Sequence, residues 1–128
     1  MISLLLVDDQ PAIRTGLRMR LALEADLKIV GEASHGGEAL RLTRKLRPDV
    51  IVMDVEMPYM DGIMTTEVLH AIMPQITVVL LSLYDDVHTR DRAREAGAAA
   101  FVSKQAGDKA LLTAIRQAAA PSEGRQTD

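Results

Sequence analysis

The sequence predicts an α/β fold in which one parallel sheet carries helices on both of its faces. Three observations support this prediction: short aliphatic runs alternate with longer segments of helical period, several runs are apolar at every position, and the connections are short. Runs that are apolar on both faces are typical of strands covered by helices on both sides. Repeated strand–helix units with short connections imply right-handed crossovers, so we expect a doubly wound, five-stranded parallel sheet with five helices.

The strands are predicted where Val, Ile and Leu cluster. The runs around Leu5, Ile51 and Val79 are apolar on both faces, as expected for strands with helices on either side. The predicted strands are Ser3–Val7, Lys28–Ala33, Asp49–Met53, Ile76–Leu81 and Ala99–Ser103.

The helices are predicted from apolar residues at helical spacing and from stop signals such as Pro48, Pro74 and Gly97. The predicted helices are Pro11–Glu24, Glu38–Leu46, Asp61–Met73, Asp86–Ala96 and Asp108–Ala119. The fourth differs from the rest because its few apolar side chains, Val87, Ala93 and Ala96, bury little surface. We therefore expect it to be loosely held, as a solvated surface helix or as a mobile element that faces a partner.

Composition excludes several classes of function. The net charge is −3, from 15 Lys and Arg against 18 Asp and Glu, so no basic field attracts nucleic acid. One Phe, two Tyr and no Trp argue against a surface that stacks bases or sugars. The absence of cysteine excludes disulfides, thiolate metal sites and thiol catalysis.

The same sequence predicts one cytoplasmic domain with no membrane partner. No stretch approaches the roughly 20 apolar residues of a membrane helix, and the N-terminal apolar run lacks the basic leader of a signal peptide. We assign residues 1–120 to the domain. Residues 121–128 are polar and are predicted to form a linker or a disordered tail.

Polar residues follow four of the predicted strands. Asp8 and Asp9 end strand one, Asp54 ends strand three, Ser82 ends strand four and Lys104 ends strand five. In open parallel sheets, chemistry gathers beyond the carboxyl ends of the strands, so these groups should meet at one edge. Clustered carboxylates repel one another unless a hard cation neutralises them, and oxygen ligands favour Mg²⁺. With a lysine and a hydroxyl nearby, a carboxylate nucleophile could accept a phosphoryl group as an acyl phosphate.

Each of these residues has an ordinary explanation when it is taken alone. An acidic pair is usually solvated or caps a helix, an aspartate can cap a turn, and a single lysine more often lies on the surface. Their joint placement at four strand ends of one short domain is what favours a functional site.

At these residues the chain resembles the receiver domain of bacterial two-component response regulators, and within that family the NarL/FixJ type. The resemblance extends from about Ser3 to Ala119, and it depends on the combined spacing of several motifs. These motifs are Leu5-Leu6-Val7-Asp8-Asp9, Pro48-Asp49-Val50-Ile51-Val52-Met53-Asp54, Met57-Pro58-Tyr59-Met60-Asp61-Gly62, Ser82, and Gly97-Ala98-Ala99-Ala100-Phe101-Val102-Ser103-Lys104.

The resemblance implies a phosphoacceptor and a metal site. Asp54 would accept the phosphoryl group. Asp9 would bind Mg²⁺ directly, Asp8 largely through water, and Asp54 and the backbone carbonyl of Glu56 would complete the protein ligands. The family resemblance further implies the flavodoxin-like receiver fold, with sheet order 2-1-3-4-5.

Other roles are implied in the same way. Ser82 and Lys104 would contact the phosphoryl oxygens, and Phe101 occupies the position of the switch aromatic residue. Glu56 and Tyr84 would tune dephosphorylation. Phe101 lacks the hydroxyl of the tyrosine that is commoner in receivers, so its buried state needs no hydrogen-bond partner.

The resemblance implies a switch, not a turnover enzyme. A sensor histidine kinase would supply the phosphoryl group, and the acyl phosphate would hydrolyse slowly without a further catalyst. Phosphorylation would change the surface formed by helix 4, strand 5 and helix 5, with a phosphorylation-dependent homodimer as one outcome. Transcription would then be controlled through a C-terminal helix-turn-helix domain, the only part expected to bind DNA, which this chain does not contain.

Three other classes of protein fit the sequence less well. Hydrolases that form an aspartyl phosphate carry a second Asp two residues after the nucleophile of strand one, where this chain has Gln10 and Pro11. A flavodoxin-like cofactor module needs a phosphate-binding loop after strand one, and Asp8-Asp9 would repel phosphate there unless a metal intervened. A receiver that serves only as an interaction domain would normally lack one of the key residues. This chain has all of them: Asp9, Asp54, Ser82 and Lys104.

Overall fold

The computed structural model of the chain describes residues 1–120, and the tail predicted at 121–128 lies outside the described residues. Strands and helices alternate along the chain, and the five strands form one parallel sheet in the order β2-β1-β3-β4-β5. This confirms the predicted fold class and strand order. The elements are β1 (Ile2–Val7), α1 (Pro11–Leu21), β2 (Leu27–Ala33), α2 (Gly36–Leu46), β3 (Val50–Asp54), α3 (Gly62–Ile72), β4 (Val78–Ser82), α4 (Val87–Glu95), β5 (Ala100–Ser103) and α5 (Asp108–Ala119).

Two separate apolar clusters cover the two faces of the sheet. Along β1, Leu5 belongs to the cluster that includes side chains of α2, α3 and α4, whereas Leu4 and Leu6 belong to the cluster with α1 and α5. All three leucines are fully buried. Alternate side chains of a strand point to opposite faces, so a strand between two helical layers must be apolar throughout.

The helix ends follow local capping and turn geometry. Helix α2 begins at Gly36, two residues before the predicted Glu38, because the His35 ring accepts a hydrogen bond from the Glu38 amide at 3.2 Å. Helix α1 ends at Leu21 and not at Glu24, because the chain turns there into β2 and the Glu24 carbonyl accepts from the Leu27 amide at 3.2 Å.

Helix α4 is weakly buried, as its composition predicts. Ala93 is its one buried residue, and Val87 is 74% exposed. Its first turn is held by Asp86, whose side chain accepts from the Thr89 amide and hydroxyl at 3.1 and 2.7 Å. A helix with so little buried apolar surface can shift at low energetic cost.

The strand register brings the carboxyl ends of four strands to one edge. Val7 of β1 pairs with Met53 of β3, and Asp54 at the end of β3 pairs with Leu81 of β4. Ser82 then pairs with Ser103, directly before Lys104. No helix within residues 1–120 is long and apolar enough to cross a membrane.

Candidate functional site

Three carboxylates meet at the edge of the sheet where the site was predicted. One oxygen from each of Asp8, Asp9 and Asp54 lies within 4.8 Å of the others. Asp8 and Asp54 are buried, at 4% and 3% exposure. The grouping follows from the parallel sheet, since β1 and β3 are neighbours that end side by side.

The donor set fits a hard divalent cation. All three side chains offer oxygen, the ligand type that Mg²⁺ prefers. Oδ1 of Asp9 is buried and has no hydrogen-bond partner among the described residues. A buried carboxylate oxygen without a donor is costly, and a bound cation would remove that cost.

Burial opposes ionisation of the two inner carboxylates. Burial raises the pKa of Asp54 to about 6, although the hydrogen bond and the charge of Lys104 act in the opposite direction. Burial also raises the pKa of Asp8, and the Gln10 amide that donates to its Oδ1 at 2.9 Å partly offsets the effect. The site therefore attracts a positive charge.

Lys104 supplies one such charge. Its Nζ lies 2.9 Å from Oδ1 of Asp54, and its side chain is 22% exposed. The backbone of Lys104 is held by the sheet, because its amide donates to the Ser82 carbonyl at 2.8 Å. The predicted convergence of Lys104 and Asp54 is therefore confirmed.

The Ser82 hydroxyl is buried and engaged by Glu56. It donates to Oε2 of Glu56 at 2.6 Å, and Oε1 of the same carboxylate accepts from the Leu83 amide at 2.9 Å. The Ser82 hydroxyl also accepts from the Tyr84 amide at 3.0 Å. Glu56 was predicted to act through its backbone carbonyl and as a tuning residue; its side-chain contact with Ser82 was not foreseen.

The loop after β3 depends on a close backbone approach. A Cβ atom added to Gly62 would lie 2.2 Å from the Asp54 carbonyl oxygen, so only glycine fits there. The Gly62 amide donates to the Val55 carbonyl at 2.9 Å, and Asp61 caps α3 by accepting from the Met64 amide at 2.8 Å. This explains the Asp61-Gly62 pair of the motif: one residue starts α3 and the other lets it pack against Asp54.

Phe101 lies beside α4, and Tyr84 lies in the loop between β4 and α4. Phe101 is partly buried against the apolar cluster of α2, α3 and α4, and the Arg90 guanidinium lies 4.9 Å from its ring centroid. Arg90 also forms an ion pair with Asp85. Tyr84 is 62% exposed, and its backbone amide donates to the Ser82 hydroxyl at 3.0 Å.

Arg14 is a supporting residue that sequence reasoning missed. Its guanidinium donates to the Asp8 carbonyl at 2.6 Å and to Oε1 of Glu32 on β2 at 2.9 Å. It thereby fixes the backbone that carries the acidic pair. Nothing in the sequence of α1 identifies these two acceptors.

Comparisons with known proteins identify the family to which the chain belongs. The family description "Response regulator receiver domain" matches residues 4–116. The chain is 40% identical over 117 residues to the response regulator GacA of Pseudomonas aeruginosa, covering 91% of this chain and 55% of that protein. It is 34% identical over 116 residues to the response regulator protein VraR of Staphylococcus aureus, covering 91% of this chain and 56% of VraR. The chain thus spans about half the length of the curated relatives it matches.

Solved structures share the fold. The signal receiver domain of the response regulator NarL from Mycobacterium tuberculosis superposes with a TM-score of 0.86 at 30% identity, covering 92% of this chain and 95% of that one. A LuxR-family two-component response regulator from Aurantimonas superposes with a TM-score of 0.88 at 32% identity, covering 93% and 85%. From its sequence match, its strand order and the placement of its acidic cluster, this chain belongs to the response regulator receiver domain family.

Proposed function

We propose that this chain is a phosphoacceptor switch of a two-component system, in which Asp54 takes a phosphoryl group from a sensor histidine kinase. The observation that carries the proposal is the contact of Lys104 with a buried Asp54 that lies within an acidic cluster. A carboxylate held between a lysine and potential metal ligands is arranged for attack on phosphorus.

The proposed step is an in-line displacement. An Asp54 carboxylate oxygen forms a bond to phosphorus while the bond from phosphorus to the donor breaks, and the leaving group departs with the electron pair. The Lys104 ammonium neutralises charge on the transferring oxygens, and the Ser82 hydroxyl donates to one of them. Asp8, Asp9, Asp54 and the backbone carbonyl of Glu56 would hold Mg²⁺, which would neutralise the remaining phosphoryl charge.

We further propose that the chain is not a turnover enzyme. Hydrolysis returns Asp54 to its free form when water attacks the phosphorus, and Glu56 and Tyr84 flank Asp54 and Ser82 closely enough in sequence to tune that step. The output would pass through α4, β5 and α5. In a longer protein it would control transcription through a DNA-binding domain that these 128 residues do not contain.

Intact mass spectrometry tests the assignment. The chain is incubated with acetyl phosphate and Mg²⁺, with and without a chelator, and the mass of one added phosphoryl group is measured. We expect wild type to gain it only with Mg²⁺, Asp54→Asn to gain none, and Glu67→Gln, a change at an exposed acid on α3, to behave as wild type. An equal gain in Asp54→Asn would show that another residue is the acceptor.

A further inference from the structure

Both side-chain oxygens of Glu56 are bound by the start of the loop between β4 and α4. Oε2 accepts from the Ser82 hydroxyl at 2.6 Å and Oε1 accepts from the Leu83 amide at 2.9 Å. We call these two hydrogen bonds the resting contact. Ser82 is fully buried, so its hydroxyl cannot exchange this acceptor freely for water.

The resting contact competes with the role proposed for Ser82. A serine hydroxyl has one proton to donate, and here Glu56 receives it. The oxygen of the same hydroxyl already accepts from the Tyr84 amide at 3.0 Å. Ser82 can therefore donate to a phosphoryl oxygen on Asp54 only after it has left Glu56.

Charge strengthens this competition. The Glu56 amide donates to Oδ1 of Asp54 at 3.2 Å, so the two acids are close neighbours. Within residues 1–120, the Glu56 carboxylate forms no ion pair with Lys, Arg or His, and its hydrogen bonds are the two of the resting contact. A carboxylate without a cationic partner holds such donors strongly, because hydrogen bonds to charged groups are stronger than hydrogen bonds between neutral groups.

We propose that Glu56 is a positioning residue: its side chain holds Ser82 and Leu83 in the resting arrangement, and a phosphoryl group on Asp54 must break that contact to engage Ser82. This inference rests on the proposed function. Only molecules in which the resting contact is open can use Ser82 to bind a phosphoryl group. The affinity of the site therefore falls as the fraction of molecules with the contact formed rises. Glu56 would thereby set how readily the loop changes, a role separate from that of its backbone carbonyl.

The test uses beryllofluoride with Mg²⁺, a mimic of the phosphoryl group, on the full chain. Its affinity is measured for wild type, Glu56→Ala, Glu56→Gln and the control Glu67→Ala, which removes an exposed acid of the same type from α3. We expect about tenfold tighter binding by Glu56→Ala, since two hydrogen bonds to a charged group are lost from the resting state. Glu56→Gln keeps one acceptor oxygen, so its gain should be smaller, and Glu67→Ala should match wild type.

Amide exchange supplies a second measurement that needs no mimic. Without beryllofluoride, the Leu83 amide should exchange faster in Glu56→Ala than in wild type, because its acceptor is gone. Glu56→Gln preserves the size of the side chain, so it keeps the test decisive if Glu56→Ala does not fold.

The outcomes separate the two proposals. If wild type does not bind the mimic, the proposed function falls and the inference falls with it. If wild type binds but Glu56→Ala shows unchanged affinity and unchanged Leu83 exchange, the resting contact alone is overturned. Equal gains for Glu56→Ala and Glu56→Gln would overturn it as well, because they would show that charge repulsion is the whole effect.

Discussion

The Lys104 ammonium lies 2.9 Å from Oδ1 of Asp54, yet the pKa of this aspartate is still raised to about 6. Burial is the largest cause, and the charges of Asp8 and Glu56 add to it. Lys104 therefore does not offset the burial of the Asp54 carboxylate, and a cation bound at the acidic cluster would favour the ionised form.

The raised pKa predicts how stability varies with pH. Between its ordinary value of 3.8 and about 6, Asp54 binds a proton more tightly in the folded than in the unfolded state. Stability therefore falls as pH rises through this window. With metal removed, Asp54→Asn should gain stability relative to wild type by roughly 2–3 kcal/mol between pH 4 and pH 7. Denaturant unfolding of both proteins at the two pH values measures this, and a difference that does not vary with pH would contradict it.

Magnesium should stabilise the folded chain through the acidic cluster. At about 100 times its dissociation constant, a ligand that binds only the folded state adds roughly 2.7 kcal/mol. Asp9→Asn removes the charge of the acid whose buried oxygen has no donor within residues 1–120, so we expect this variant to lose most of the gain. Thermal unfolding with increasing MgCl₂ provides the measurement, and Glu95→Gln on α4 is the control. Full stabilisation of Asp9→Asn would show that the ion binds elsewhere.

Gly62 should be required for the close approach of α3 to the backbone of Asp54. Its replacement by alanine would place a Cβ atom 2.2 Å from the Asp54 carbonyl oxygen, so we expect Gly62→Ala to cost about 2 kcal/mol or more and to impair phosphorylation. Gly16→Ala on α1 is the matched control, because the nearest atom to its added Cβ would be a flexible Arg20 nitrogen at 3.4 Å. That change should stabilise the chain by up to about 1 kcal/mol. Equal effects of the two changes would refute the packing argument.

The lifetime of the acyl phosphate should depend on Tyr84. If its ring screens the phosphoryl group from water after the loop moves, Tyr84→Ala should lower the hydrolysis barrier by about 1 kcal/mol, or roughly fivefold in rate. The decay of the phosphorylated mass after the donor is removed measures this rate. Tyr59→Ala, at a fully exposed tyrosine on the loop after β3, serves as the control. Identical decay in all three proteins would remove Tyr84 from the mechanism.

Occupation of the site should favour self-association through α4, β5 and α5. The Arg90 guanidinium lies 4.9 Å from the centroid of the Phe101 ring, so movement of Phe101 must disturb α4. We expect beryllofluoride with Mg²⁺ to raise the association constant by about 5- to 150-fold, the usual range for coupling between sites. Phe101→Ala should weaken the response, and Ile72→Ala on α3 should not. Analytical ultracentrifugation measures the mass, and an unchanged mass at saturation would place the output on another surface.

Much of the fold and of the site could be predicted from the sequence alone. Leu4, Leu5 and Leu6 are all fully buried. A strand that packs on both faces is apolar at every position, and such a run can be recognised in the sequence itself. Because parallel strands end at the same edge, the residues after each run were predicted to meet, and Asp54 and Lys104 do. The division into a domain at 1–120 and a tail at 121–128 stays a prediction.

The tertiary structure alone decided several contacts that the order of the strand ends does not predict. The Ser82 hydroxyl lies 26 residues from Glu56 and donates to its carboxylate, Arg14 donates to the Asp8 carbonyl, and Arg90 covers Phe101. Periodicity tells which face of an element a residue occupies, and strand order tells which elements are neighbours. The choice of partner depends on side-chain rotamers and on distances of a few tenths of an ångström, because a hydrogen bond forms only within a narrow range of distance and angle. Sequence spacing does not carry that information.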